Sequence, residues 1–442
     1  MDRLTMEQDP AGRRTFYGYD DRGNLTVITN ALGFTRTFAY DARGLPIRLT
    51  DFNGNVLTNT HDAAGNLIAV ENGVGALTRY AYDGLGRTVA MTTPNGAVFT
   101  YTYDAGSPLL TGVFGPLGYR EAYEYDPNGN LARKVDPNGN PTRYEYDDSD
   151  RLVAEINALG YTTVYTYGLM NELTAMQDPE GRVTAYEYDA LLRLIVVHAP
   201  EGATTHYAYD ALNRLISATD PLGGVTRFTY DPAGNLIART DPNNHTTHFT
   251  YDGLYRLATV TDPEGFITRS EYDPNGNRTA LVDGNGHRTT FTYDPLDRLE
   301  TVTNPEGETI RHVYDPVGNQ TLRIEPDGVV TRYDYDGVYR LAAVTLNHRP
   351  GAPADNQTNV AFHYAYDPNG NLVQAVLPFN AQYATRTTHY EYDSLHRLVA
   401  ETDPLGNTWH HAYDPAGNRV RRVDPAGRVT TYTYRCYCLS SS

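Results

Sequence analysis

Lysine is nearly missing from this chain: Lys134 is the one lysine among 36 basic residues, and the rest are Arg. Acidic residues number 54 and the formal net charge is −18. That balance excludes the broad positive stripe a phosphate-backbone binder needs, so nucleic acid is not an expected partner. The two cysteines, Cys436 and Cys438, lie at the extreme end. They cannot frame a disulfide scaffold, and no second pair completes a zinc site with them. No apolar run approaches the ~18 residues of a membrane span, and Met1 to Asp20 lacks the apolar core of a signal peptide. No window carries a helical period. Serine is scarce before the tail, and the Gly-x-Ser-x-Gly of a nucleophile elbow is absent.

What is there is periodic. A Tyr column runs through positions 19, 40, 61, 82, 103, 125, 146, 167, 188, 209, 230, 251, 272, 293, 314, 335, 366, 392, 413 and 434. Of its 19 intervals 16 are 21 residues, the residue is Tyr everywhere except His61, and Asp follows everywhere except at Gly168 and Arg435. Such self-similarity is read before anything else, because it replaces the usual estimate of one domain per ~150 residues. Three intervals are longer, with extra residues in Asp104–Gly118, in Leu346–Asn359 and around Pro378–Arg386. In repeat arrays insertions map to loops, so these are expected to be enlarged hairpin loops and not domain boundaries.

Each unit holds two strands and two turns. In Thr226-Arg227-Phe228-Thr229-Tyr230, alternation sends Thr226, Phe228 and Tyr230 to one face and Arg227 and Thr229 to the other. The next strand begins with Leu, as at Leu215, Leu236, Leu257 and Leu299. One turn follows the Tyr column (the Tyr-Asp turn), as in Asp126-Pro127-Asn128-Gly129; the return turn uses the same chemistry, as in Asp178-Pro179-Glu180-Gly181. Asp opens the turn by accepting from the backbone two residues on, Pro fits the second position, and Gly takes the left-handed region. Where Gly is replaced, at Leu192, Tyr255, Tyr339 and His396, that geometry is not expected to be kept.

Twenty units of this kind predict roughly 40 short strands joined by hairpins into one antiparallel ribbon. Open twisted sheets rarely pass ~10 strands without curling, so the all-β ribbon is expected to curl into a spiral or a hollow shell. A single layer has no thick apolar core. The array is expected to run continuously over residues 1–434, leaving 435–442 as a non-repeat tail that breaks the pattern mid-unit, as a truncation or frameshift would.

Tyr82-Asp83-Gly84-Leu85-Gly86-Arg87 and Tyr230-Asp231-Pro232-Ala233-Gly234-Asn235-Leu236, repeated at about 21 residues over nearly the whole chain, resemble the RHS or YD repeat. The resemblance implies β-hairpins that spiral into a hollow cocoon, as in bacterial Rhs proteins, Tc toxin C components and teneurin-type cell-surface proteins. It implies encapsulation of a toxin polypeptide, an exported or cell-surface location, and no chemistry for the repeat residues. The Arg-Tyr-Tyr-Asp-Pro…Gly-Arg-Phe core motif and the self-cleavage site of the bacterial family are not found. Asp220-Pro221-Leu222-Gly223 resembles that site only superficially, because it is in phase with every other return turn.

Other chemistries fit these residues less well than turn formation does. Asp273-Pro274-Asn275-Gly276-Asn277 and Asp283-Gly284-Asn285-Gly286-His287 invite a calcium reading, but position 12 of each is Gly284 or Asp294 and not the bidentate Glu of a calcium loop. Turn formation explains them better. His245 and His248, three apart on an expected strand, point to opposite faces, as do His410 and His411. No residue is therefore assigned a catalytic, cofactor or metal role, ligand-binding residues stay open, and an enzyme is not expected. The expected function is a non-enzymatic scaffold enclosing or presenting another polypeptide. The alternatives are a glycan- or protein-binding module using the Tyr-rich face, and a remnant lacking its toxin.

Overall fold

The computed structural model describes residues 3–10, 12–354, 357–377 and 386–434. The fold is all-β, with forty strands from Met6–Gln8 to Val429–Thr431. Among the described residues the one helical element is a single 3-10 turn, Pro116–Gly118. Two compact units can be told apart. One gathers the residues up to Gly96 with Tyr209–Ala218 and Gly224–Val330; the other gathers Ala97–Ala208, Thr219–Gly223 and the residues from Thr331 on.

Inside each unit, strands pair antiparallel with their chain neighbours, alternating between six and five residues from Arg14–Tyr19 to Val330–Tyr335 and lengthening to seven and six beside the enlarged loops. Val183–Tyr188 pairs back to Leu173–Gln177 and forward to Leu194–His198. The return hairpin is regular, with Gln177 opposite Val183. The Tyr-Asp hairpin carries a bulge: Tyr188 faces Leu194, but Glu187 faces Val196. The same shift recurs beside Tyr40, Tyr146, Tyr251 and Tyr392. A bulge bends its strand and adds twist, so the ribbon is bent once per repeat, always next to the same turn.

The sequence alternation is kept. In Val225–Tyr230, Arg227 and Thr229 are exposed while Thr226, Phe228 and Tyr230 are half-buried. Buried apolar residues are small, seven Ala and Val196, and no large side chain among the described residues is fully buried. The single layer therefore gains its stability from ladder hydrogen bonds and cross-strand pairs and not from an interior.

The enlarged loops are hairpin loops, since Leu346 pairs with Val360 and Leu377 with Arg386 across them. Most of the residue 378–386 insertion, and all of the tail with Cys436 and Cys438, lie outside the described residues. One expectation about turns is overturned. Leu192, Tyr255, Tyr339 and His396 keep the left-handed conformation with φ of 59°, 63°, 71° and 63°. Each turn still closes, for instance by Leu192 N–H donating to the Asp189 carbonyl at 2.9 Å. The turn is set by the Asp at its start and by the strands on either side, which impose the conformation on whatever residue stands fourth.

Candidate functional site

In the turns that Asp opens, a single carboxylate organises the backbone. At Asp178 the carbonyl accepts the Gly181 N–H at 2.9 Å, and Oδ1 accepts the backbone N–H of both Glu180 and Arg182 at 2.9 Å. The Arg182 guanidinium donates to Oδ2 at 2.6 Å. In Tyr-Asp turns the residue after the left-handed position does more. Arg214 donates to Asp210 Oδ2 at 2.7 Å and to the Asp231 carbonyl of the next such turn at 2.8 Å, and it lies 4.9 Å over the Tyr230 ring. Arg256, Arg298 and Arg397 repeat the arrangement. Such bonds hold the Asp189 and Asp210 carboxyls below the usual carboxylate range; at Asp189 the Arg193 side chain is the leading cause and at Asp210 the Arg214 backbone N–H.

The Tyr column is a hydrogen-bonded ladder. Tyr188 Oη donates to the Leu173 carbonyl at 2.9 Å, Tyr230 to Leu215 at 2.8 Å and Tyr272 to Leu257 at 2.9 Å. These hydroxyls tie their repeats to the ones before, and burial raises the Tyr188 phenol above its ordinary value. The sequence signal for this bond is the fifteen-residue spacing from Leu to Tyr that recurs through most of the array.

The residues weighed for metal chemistry are placed differently. His245 is not on a strand: it precedes Thr246–Tyr251 and sits in the turn, with Nδ1 3.2 Å from Asp241 Oδ2. The Asp273 carboxylate is taken by Gly276 and Asn277 of its own turn. Among the described residues no group of three His, Cys, Asp or Glu is arranged around a common metal position, and no helix is long and apolar enough to cross a membrane.

What the sequence did not reveal is a seam inside each unit. There, the return turns of an earlier strip of ribbon meet the Tyr-Asp turns of a later strip. In the first unit Asn53 Nδ2 donates to Asp273 Oδ2 at 3.0 Å, and Asn275 Nδ2 donates to Asp51 Oδ2 at 2.9 Å. In the second unit Asn138 donates to Asp367 Oδ2 at 2.8 Å and Asn369 to Asp136 Oδ2 at 2.7 Å. These are reciprocal clasps between identical Asp-x-Asn-Gly turns. Counted in turns, the partner is the twenty-first further on in both clasps, although Asp51 and Asp273 are 222 residues apart and Asp136 and Asp367 are 231. The contact of Asp414 with Glu180 and Arg182 keeps the same count.

Between clasps, shape takes over. A Cβ on Gly253 would lie 2.6 Å from Leu32, and one on Gly337 3.5 Å from Pro116, so small residues receive the bulk of the facing turn. The left-handed residues reach across the seam as well. Tyr255 Oη bonds to Asp9 while Arg13 stacks 3.5 Å over its ring, and His396 Nε2 lies 3.2 Å from Asp136. A cleft of about 390 Å³ beside the Asn138 clasp is lined by Asp367, Tyr390, Tyr392, Asp393 and Ser394. The Ser394 hydroxyl is buried there without a partner among the described residues.

The comparisons with known proteins bear on this arrangement. A family model described as RHS Repeat matches residues 188–225, 209–243, 230–267, 272–309, 314–347, 366–408 and 413–434, and a Teneurin YD-shell model matches 16–205. No curated protein sequence matches the chain. Among solved structures, the Photorhabdus luminescens Tc holotoxin pore aligns with a TM-score of 0.62 at 17% identity, over 93% of this chain and 29% of that one. A TcdB2-TccC3 structure aligns at 15% identity over 95% of this chain and 30% of that one, with a TM-score of 0.42. The chain thus spans less than a third of the length of these two solved chains, and at these identities the first likeness speaks for the fold alone.

Proposed function

Because this chain belongs to the RHS/YD-repeat family, we propose that it is a scaffold whose strips of hairpin ribbon join edge to edge into a wall enclosing or presenting another polypeptide. The observation that carries this reading is the seam. A single-layer ribbon held only to its chain neighbours is an open strip, whereas reciprocal turn clasps at a fixed count of twenty-one turns join strip to strip into a continuous surface. The repeat residues are spent on building that surface: the Asp and Arg close turns, the Tyr hydroxyls link repeats, and the Asn amides link strips. This favours a non-enzymatic role for an array running over residues 1–434, with 435–442 outside it. An exported or cell-surface location accompanies this reading.

The test is protection of a reporter. An unstructured polypeptide joined to the C-terminus of the chain is expected to survive protease at least about tenfold longer than the same polypeptide free in solution. The Asn138→Asp/Asn369→Asp double variant, which sets carboxylates against carboxylates across the seam, is expected to abolish that protection. Equal digestion of fused and free reporter overturns the reading.

A second reading, a glycan-binding module, rests on the cleft beside the Asn138 clasp, where Tyr390 and Tyr392 stand next to carboxylates and the unpaired Ser394 hydroxyl. Aromatic faces beside hydrogen-bonding groups suit sugar rings. Binding on a glycan array that is lost with Tyr390→Ala and Tyr392→Ala would put this reading ahead of the scaffold.

A further inference from the structure

The clasp chemistry is repeated on edges of the ribbon that face no strip of their own unit. In the second unit the Tyr-Asp turn Asp126-Pro127-Asn128-Gly129 belongs to the earlier strip, and the seam uses the opposite edge of that strip, where Asp136 and Asn138 stand. Asn128 is built as Asn275 is. Asn128 Nδ2 donates to Asp150 Oδ1 at 2.9 Å and Asn130 Nδ2 to the same oxygen at 2.7 Å. Asn275 and Asn277 donate to Asp297 Oδ1 at 2.9 and 2.6 Å. Asn275 additionally gives its amide to Asp51 across the seam. Asn128 has every neighbour of a clasp residue except the opposing turn.

The missing half stands on the first unit's later strip. Its return turn Asp241-Pro242-Asn243-Asn244 matches Asp136-Pro137-Asn138-Gly139, with Asn244 at φ 67° taking the place of Gly. Asp241 Oδ1 accepts the backbone N–H groups of Asn243 and His245, as Asp136 accepts those of Asn138 and Asn140. Asn243 is exposed, and its side-chain amide has no partner among the described residues. Asp283-Gly284-Asn285-Gly286 offers the same donor and acceptor on the same edge, two repeats further along.

We propose that these edges are the two halves of a head-to-tail contact between copies of this chain. The Asn128 turn of one copy clasps the Asp241 turn of the next, with Asn128 donating to Asp241 and Asn243 donating to Asp126. The occupant follows from the chemistry, because the edge asks for a second Asp-x-Asn turn set on hairpin spacing, and this chain supplies it. The contact extends the seam already present inside each unit. Two different surfaces meet in it, so it does not close on itself as a twofold dimer does, and it adds copies in series.

Sedimentation velocity of the full chain tests this over about 1–100 µM. The expected result is a weight-average mass that rises with concentration beyond the dimer. Asn128→Asp faces a carboxylate with Asp241 and is expected to shift association at least about tenfold to higher concentration, and adding Asp241→Asn in the same chain is expected to restore it. Asn tolerates that position, since Asn30 opens its return turn by accepting from Leu32 and Phe34. Asn243→Ala removes the other half of the same clasp from the opposite edge, so it reads the contact even if Asn128→Asp unfolds its hairpin. A monomer throughout the range overturns the proposal, and so does association that neither Asn128→Asp nor Asn243→Ala weakens.

Discussion

Asn369 donates to Asp136 at 2.7 Å across 233 residues of sequence, and Asn138 answers by donating to Asp367 at 2.8 Å. Replacing Asn369 with Asp keeps the shape and removes the donor, leaving two carboxylates in contact. A lost hydrogen bond to a charged group costs ~1.5–3 kcal/mol, and like-charge repulsion adds to it. Asn369→Asp is therefore expected to lower the melting temperature measurably in differential scanning calorimetry. Asn243→Asp, at a return turn whose side-chain amide has no partner among the described residues, is expected to change it by less. Equal melting of the two variants would show that the clasps bear no load.

The ladder hydroxyls give a second, independent measure. Tyr188→Phe leaves the ring and deletes the bond to the Leu173 carbonyl. The expected loss is ~0.5–1.5 kcal/mol, read from the urea midpoint. Tyr188→Ala also removes ring contacts with neighbouring strands and is expected to cost more. A Phe variant as weak as the Ala variant would assign the whole effect to the hydroxyl and none to the ring.

Much of the fold was legible because period 21 fixes strands, turns and their order together, and the Asp-Pro-x-Gly turns name their own geometry. The turn at Leu192 was misjudged because Gly marks a left-handed residue only when the chain has a choice; here the flanking strands and the Asp189 carbonyl remove it. The seam stayed hidden for a different reason. Its partners are related by a half-integral number of repeats, so a comparison of repeat with repeat aligns Tyr-Asp turns with Tyr-Asp turns and never with return turns. Asn at the third position of both turn types was the available signal, and in the sequence it looks like turn chemistry alone.

The left-handed residues separate strain from function. An L-residue at such a φ costs ~1–2 kcal/mol relative to Gly. Leu192 is exposed, so Leu192→Gly is expected to leave stability unchanged or to raise it. Tyr255→Gly relieves the same strain but loses the bond to Asp9 and the Arg13 stack, and is expected to destabilise. Gly234, at φ 94°, is the converse: Gly234→Val is expected to damage its hairpin. Thermal melts of the three variants decide it, and the same sign at Leu192 and Tyr255 would contradict the role given to Tyr255.

The pH profile follows from the direction of the shifts. Asp83, Asp189, Asp210 and Asp231 have folded pKa values below their unfolded ones, through turn hydrogen bonds and Arg partners. The unfolded chain therefore binds more protons in acid. The stabilisation is complete above the unfolded value of ~3.9 and is lost as pH falls through the lower folded values. At the other end, burial raises Tyr40, Tyr146 and Tyr188, so their contribution is full below ~10 and is lost as pH rises past it. Melting temperatures are expected to form a plateau between, with a steep fall below about pH 4. Stability that persists unchanged to pH 2.5 would mean the turn carboxylates contribute nothing.

Deletions read the seam count directly. Residues can be added at the tip of the 346–359 loop without changing which turn faces which, because the strands on either side still pair at Leu346 and Val360. Removing the 21 residues from Ala199 to Thr219 keeps every strand direction but shifts the count by two turns, so Asn138 would face Asp393-Ser394-Leu395-His396 in place of Asp367-Pro368-Asn369-Gly370. Removing Ala199 to Tyr209 takes out one turn and one strand, and it reverses the direction of everything downstream. Soluble yield and melting temperature are expected to rank loop insertion first, whole-repeat deletion second and half-repeat deletion last. If the whole-repeat deletion matched the loop insertion, turn identity across the seam would be irrelevant; if it matched the half-repeat deletion, the seam register would outweigh strand direction in holding the ribbon together.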